Sequence, residues 1–207
     1  MSFKDYFSKQ ASEYTKYRPY YPAALFEYLA GLTKNHETAW DCATGSGQAA
    51  LGLTPHFDKV IATDASKRQI ANAVEQNKIG YAVARAEKTG IESNSLDLIV
   101  AAQALHWFDL DEFYLEVKRV SKSGGIIAAW CYSLLRISSV IDKLLDNFYT
   151  EIVGPFWPPE RKFVDDQYQS IPFPFEEFDA PQFKMESKWS LERLVGYLGT
   201  WSSVQRY

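Results

Sequence analysis

The stretch Asp41-Cys42-Ala43-Thr44-Gly45-Ser46-Gly47 constrains the fold of this chain more tightly than any other. An apolar run, Thr38 to Cys42, carries an acid near its end and leads into closely spaced glycines, after which Gln48 to Leu53 suits a helix. Strand, tight turn and helix in that order open a βαβ unit, and the glycines leave bare backbone on which a small molecule can lie at the strand's carboxyl end. A second apolar run, Lys59 to Thr63, stops at Asp64, so two carboxylates are expected to flank one crevice.

Further apolar runs recur at intervals that suit crossover helices. Tyr81 to Ala84, Leu96 to Ala101 and Gly125 to Cys131 read as strands three to five, with helices from Lys67 to Asn77 and from Leu110 to Val120. Ser66 and Asp109 stand where N-caps belong. The pattern predicts an α/β fold, a mostly parallel twisted sheet with helices on both faces. Ahead of it, Pro22 opens a helix bearing Leu25, Phe26 and Leu29, preceded by an extended approach through Tyr14, Tyr17, Arg18 and Pro19. Behind it, Ile137, Val140, Ile141, Leu144, Leu145, Phe148 and Ile152 form an apolar helical face, which Gly154-Pro155-Phe156-Trp157-Pro158-Pro159 interrupts. Phe183 to Trp189 alternates as a sixth strand would, and Ser190 caps a last helix with Leu191, Leu194, Val195 and Leu198. We therefore expect one domain: a cap segment at 1–36, a core at 37–132, a helical and aromatic lid inserted at 133–180, and the sixth strand and C-terminal helix at 181–207.

At 207 residues and 46% hydrophobic, the chain can bury a full core. Its net charge of -4 and the lack of an extended basic block argue against a nucleic-acid backbone as partner. Two cysteines, Cys42 and Cys131, make no disulfide framework, the N-terminus has no apolar targeting core, and no apolar run approaches the ~20 residues of a membrane span. A cytoplasmic protein with no membrane partner is the expectation. Aromatics, 15% of the chain, cluster from Phe3 to Tyr21 and from Phe148 to Tyr207. They read either as packing surface or as an apolar lid that keeps water from a charged reaction.

Gly45-Ser46-Gly47-Gln48-Ala49-Ala50 fits the dinucleotide fingerprint G-x-G-x-x-A, and Asp64 suits an acid that binds a ribose hydroxyl. An NAD(P)-dependent oxidoreductase is thus one reading. Asp41 weighs against it, because a pyrophosphate over this loop would meet a carboxylate at low dielectric, at a cost on the order of a kcal/mol or more. A cofactor with a cationic sulfonium, a free ammonium and no phosphate would be drawn in, and S-adenosylmethionine has those groups.

On these residues, 38 to 131 resemble the core of class I S-adenosylmethionine-dependent methyltransferases, a Rossmann-like fold. The resemblance implies that Asp41, Ala43, Gly45 and Gly47 carry the methionine end of the cofactor, with Ala43 where the family usually has glycine. It implies that Asp64 binds the ribose hydroxyls, that Ala65, Ala86 and Glu87 meet the adenine, and that Gln103, at the end of strand four, faces the methionine amino group. The segment His106-Trp107-Phe108-Asp109, with Tyr17-Arg18-Pro19 and Tyr21-Pro22, is similar to the small-molecule subgroup around trans-aconitate methyltransferases. It also implies an antiparallel seventh strand at the end of the sheet, which residues 1–207 are expected to lack.

Methyl transfer is an in-line displacement that needs alignment and desolvation, and a carboxylate acceptor would need no general base. The candidates on the acceptor side are His106, Arg18, Trp130 and Tyr132, with Arg136 beyond them; Tyr14 and Arg18 lie in the segment expected to fold over the cofactor. His106 carries two readings, a substrate contact or base and a histidine bonded within its own loop. No His/Cys cluster has metal-ligand spacing. The expected activity is methylation of a small molecule, a carboxylate among the candidates. An adenosylmethionine-binding domain without transfer is the third reading.

Overall fold

The structure, a computed structural model, describes residues 17–207. Tyr14 and the aromatic residues before it lie outside the described residues. Helix α1 (Ala23–Leu32) precedes strand β1 (Thr38–Cys42), followed by α2 (Gln48–Leu53), β2 (Lys59–Asp64), α3 (Lys67–Ala71), β3 (Ile79–Val83) and β4 (Leu96–Ala102). A 3-10 turn (Leu105–Trp107) leads into α4 (Leu110–Val120) and β5 (Ser121–Trp130). The strands form one five-stranded sheet in the order β3-β2-β1-β4-β5, and every ladder is parallel. The order reverses between β1 and β4, which opens a crevice at the carboxyl ends of those two strands.

Each face of the sheet has its own core. On one, Leu25, Phe26 and Leu29 of α1 and Ala49, Ala50 and Leu53 of α2 cover Ala39, Val60, Leu98 and Val100. On the other, Phe113, Val117 and Val120 of α4 cover Trp40 and Ile99. Gly52 lets α1 and α2 meet, since a Cβ there would come within 2.2 Å of the Phe26 ring. Ser66 caps α3 as its sequence position predicts, accepting the Gln69 N–H, whereas Asp109 stands at the N-cap of α4 without a side-chain bond.

After β5 come α5 (Ser139–Asn147), which continues into a π-helical turn (Phe148–Ile152), a 3-10 turn (Gly154–Phe156), α6 (Arg161–Asp165) and α7 (Leu191–Gly199). The apolar face expected of α5 is largely solvent-facing, with Val140 72% and Leu144 68% exposed; Leu145 is the residue of that helix that is buried. A third core, of Val153, Tyr197 and Trp201 with Tyr17, Tyr149, Trp157 and Trp189 against it, joins the 133–180 segment to α7. The second aromatic cluster of the sequence is therefore mostly packing. Gly196 is part of it, because a Cβ there would meet the Tyr17 ring at 2.4 Å.

Two expected elements differ. The helix from Lys67 stops at Ala71, with Asn72 as its C-cap: the Val74 N–H turns to Ser46 O and the Val74 carbonyl accepts Tyr81 Oη at 2.9 Å, so this segment braces the glycine loop instead of continuing the helix. No sixth strand forms over 183–189. Its alternate apolar residues find aromatic partners rather than a ladder, Phe183 against Tyr28 and Trp189 against Tyr197.

Candidate active site

The carboxyl ends of β1, β2 and β4 surround a cavity of about 760 Å³. Its floor is the turn after β1, where Ala43 (φ 56°), Gly45 (φ 56°) and Gly47 (φ 89°) are all left-handed. Ala43 carries a Cβ in a conformation that costs an L-residue ~1–2 kcal/mol. A Cβ on Gly45 would meet nothing within 4 Å, as befits a residue lining open space. Gly47 does not line the cavity. It holds the N-cap position of α2, where a Cβ would come within 2.3 Å of Tyr81 Oη, so its role is to close the turn.

Hydrogen bonds stitch this turn to β2. Thr44 N–H donates to Thr63 O at 2.9 Å and Gly45 N–H to Asp64 Oδ2 at 2.9 Å, while Ser66 N–H donates to Asp64 Oδ1 at 2.8 Å. Asp64 thus holds two loops, and its carboxylate also lines the cavity. Asp41 is 1% exposed; its Oδ2 accepts from Thr44 Oγ1 (2.6 Å) and Ala50 N–H (2.8 Å), and its buried Oδ1 has no partner among the described residues. Burial raises its pKa to about 7, against the pull of the Thr44 and Ala50 bonds and with a further push from the charge of Asp64. A cation at Oδ1 would favour the ionised carboxylate. Gln48 and Gln69 also line this end, and Gln48 Nε2 and Gln69 Oε1 are buried without partners among the described residues. Orphaned polar atoms, an open glycine and two carboxylates fit a ligand that carries an ammonium and hydroxyls, as S-adenosylmethionine does.

Further along the wall lie Ala65, Ala84, Arg85, Ala86 and Glu87. Glu87 Oε1 accepts Asp109 N–H and Oε2 pairs with Arg85, each at 3.0 Å. Burial pushes its carboxyl up, yet these bonds outweigh it and hold the pKa below the ordinary value. Gln103, left-handed at φ 57°, gives its N–H to Trp130 O at 2.8 Å and its Nε2 to Tyr132 O at 3.4 Å, so it ties the end of β4 to the end of β5 at the cavity's rim.

Other parts of the lining are built from side chains. Arg18 Nη1 donates to Tyr132 Oη at 3.0 Å and Nη2 to Thr200 O at 3.3 Å, with the guanidinium over the Tyr197 ring. His106 lies beside Trp107, its Nδ1 2.9 Å from Tyr168 Oη, and burial lowers its pKa to about 4, helped by the nearby charge of Arg161 and opposed by Glu160. Trp130 does not line the cavity. Its ring sits edge-on against Tyr21 and Phe26, because β5 turns that side chain toward the α1 face. Arg136 is likewise outside, paired with Asp146 at 2.7 Å.

Of the residues expected at the site, Arg18, Asp41, Ala43, Gly45, Asp64, Ala65, Ala86, Glu87, Gln103, His106 and Tyr132 are brought together around one cavity. Unforeseen lining residues include Gln69, Arg85, Tyr114, Glu160, Phe163 and Pro174. The last three belong to the 133–180 segment, which Tyr114 anchors through a bond from its hydroxyl to Pro172 O at 2.9 Å. Among the described residues no group of three or more His, Cys, Asp or Glu side chains could hold a metal ion, and no helix is long and apolar enough to cross a membrane.

Comparison with known proteins adds a family. Residues 40–129 match the family described as a methyltransferase domain. A Dictyostelium discoideum protein that carries a methyltransferase name is 35% identical across 99% of this chain and 80% of its own length. A solved structure from Anaeromyxobacter dehalogenans, titled a type II methyltransferase, superposes with a TM-score of 0.85 at 44% identity, over 91% of this chain and 80% of that one. Further off, a malonyl-[acyl-carrier protein] O-methyltransferase of a Marinomonas species is 29% identical over 58% of this chain and 48% of its own length.

Proposed function

This chain belongs to the S-adenosylmethionine-dependent methyltransferases, and from that premise we propose that it methylates a carboxylate oxygen of a small organic acid. Bound in the cradle, S-adenosylmethionine supplies an electrophilic methyl group on a cationic sulfonium. In this reading Asp41 Oδ1 takes the ammonium, Asp64 takes the ribose hydroxyls, and Ala65, Ala86 and Glu87 flank the base. Gln103 holds the rim where the two ends of the cavity meet.

The observation that carries the acceptor class is the contrast in polarity along one cavity. Side chains able to donate hydrogen bonds line the same cavity as the carboxylates: the Arg18 guanidinium, Tyr132 Oη and the His106 ring, with Tyr21, Trp107 and Phe163 as aromatic walls. Arg18 can grip one carboxylate of a polyacid while another is aligned for attack. Glu160, the carboxylate on the lid side, would repel an anion placed against it and so orients the acid toward Arg18. The O-methyltransferase name of the Marinomonas relative, and the likeness of the His106 to Asp109 segment to the trans-aconitate subgroup, support an oxygen nucleophile on an acid.

The test is turnover across mono-, di- and tricarboxylic acids, phenols and amines, with products read by mass spectrometry and by lability to alkali. Alkali-labile methyl esters of a di- or tricarboxylic acid are expected. Methylation confined to phenols or amines would sink the carboxylate reading and leave the family assignment standing.

A further inference from the structure

Ser66, the N-cap of α3, is followed three residues later by Gln69, which is the spacing of a capping box. In such a box the serine hydroxyl accepts the N–H of the third helical residue, and that residue's side chain reaches back to the N–H of the serine. Here half of the box forms. Ser66 Oγ accepts Gln69 N–H at 3.3 Å, but Ser66 N–H donates to Asp64 Oδ1 at 2.8 Å. The carboxylate at the end of β2 has taken the bond that the glutamine amide would otherwise accept.

The displaced amide is left facing the cavity. Gln69 is 4% exposed and its Oε1 is buried with no partner among the described residues, yet the residue lines the cavity. A buried amide oxygen without a partner weakens a fold, and one at a cavity wall is satisfied by what fills the cavity. Side chains of a helix lean toward its N-terminus, so Gln69 lies back over Ser66 and the end of β2. Asp64, Ala65 and Ser66 line the same cavity.

We infer that Gln69 is a cofactor-binding residue that hydrogen-bonds a ribose hydroxyl of the adenosyl group, beside Asp64. The inference rests on the cofactor part of the reading above, in which Asp64 takes the ribose hydroxyls, and does not depend on the acceptor. A hydroxyl both donates and accepts, whereas a carboxylate only accepts, and each Asp64 oxygen already holds one backbone N–H. An amide can do either, since a half-turn of its last bond exchanges Oε1 and Nε2. The exocyclic amine of adenine is at the end of the base away from the ribose, which in the same reading is flanked by Ala86 and Glu87.

The empty protein therefore keeps an unpaired buried group that binding relieves. Methionine is close to glutamine in length and has no amide, so Q69M should leave the ligand-free protein at least as stable while it weakens the cofactor.

Titration calorimetry of the full chain, wild type and Q69M, with S-adenosylhomocysteine, its 2′-deoxy and 3′-deoxy forms and S-inosylhomocysteine tests this. Q69M is expected to lose about tenfold in affinity for S-adenosylhomocysteine, the worth of one hydrogen bond. It should bind one of the two deoxy forms as well as the wild type does, because the bond it lacks is absent there too. Its ligand-free thermal midpoint should equal or exceed that of the wild type, and Q69L should repeat the pattern if methionine packs badly. Equal losses on all four ligands, no loss on S-adenosylhomocysteine, or a loss that disappears only with the inosyl compound overturns the inference. A ligand-free midpoint lowered by several degrees in both variants overturns it as well, since Gln69 would then be holding the fold. A wild type that binds none of the four would bring down the donor cradle and this inference with it, whereas binding without that coupling removes Gln69 alone.

Discussion

The two ends of the cavity are made of different material. At the end proposed to hold the methyl donor, the lining is main-chain N–H groups and two carboxylates, mostly from residues 41 to 50 and 63 to 66. At the end proposed for the acceptor, side chains arrive from position 18, from the β4–α4 connection, from the end of β5 and from the 133–180 segment. The first end is a local device: three left-handed residues reverse the chain, and Asp64 holds the reversed loop through Gly45 and Ser66. The second exists only when distant segments pack, through the Tyr114 bond to Pro172 and the Arg18 fork to Tyr132 and Thr200. The same contrast separates their chemistry, backbone and carboxylates in the first and long side chains led by the Arg18 guanidinium in the second.

The sharpest way to break this comparison is to remove the carboxylate that does two jobs. Asp64→Ala deletes the acceptor of two backbone N–H groups, and hydrogen bonds to a charged group are worth ~1.5–3 kcal/mol each. Affinity for S-adenosylhomocysteine by titration calorimetry should fall by on the order of 100-fold or more. Phe163→Ala, at the other end, should leave that affinity within about threefold of wild type and lower acceptor turnover. Equal losses in both variants would erase the distinction.

A smaller effect is expected in the turn. Gly47→Ala places a Cβ against Tyr81 at φ 89°, and should cost ~2–3 kcal/mol and lower the thermal midpoint by roughly 5–10 °C. Asp41→Asn should move stability the other way. The Asp41 pKa is raised in the folded protein, from 3.8 to about 7, so its penalty is absent below pH 4, grows as pH rises, and is complete above pH 7. At pH 8 the variant without its ligand should melt a few degrees higher than wild type, with the gap closing toward pH 4 as thermal scans follow it. Smallest is Tyr114→Phe, which frees the lid's carbonyl at Pro172 and should cost about 1 kcal/mol in denaturant unfolding, with donor affinity kept.

The difference between the ends also explains what could be read in the sequence. Asp41, Gly45 and Asp64 were legible because strand, acid and glycine are fixed by neighbours in the chain, and the parallel sheet was legible because its buried strands are short apolar runs. The acceptor end was not: Glu160, Phe163 and Pro174 carry no spacing that ties them to β4, and only packing brings them there. Trp130 looked like a lining residue from its place at the end of β5, but strand pleat sends it to the other face, onto Tyr21 and Phe26. Gly47 fits the fingerprint, yet serves the turn against Tyr81. The alternation of 183–189 suggested a strand because aromatic packing imposes the same period as a ladder. Asp41 was read as a plain anion, whereas its burial, invisible in sequence, raises its pKa to about 7.

That last feature gives the most direct test of the donor cradle. Calorimetric titration with S-adenosylhomocysteine, repeated from pH 5.5 to 8.5 in buffers of different ionisation enthalpy, measures affinity and proton release together. Binding of an ammonium at Asp41 predicts affinity that strengthens as pH rises through about 7, with a proton released on binding below that point, and neither trend in Asp41→Asn. Affinity and proton release that do not change with pH, or that change alike in wild type and variant, would contradict it.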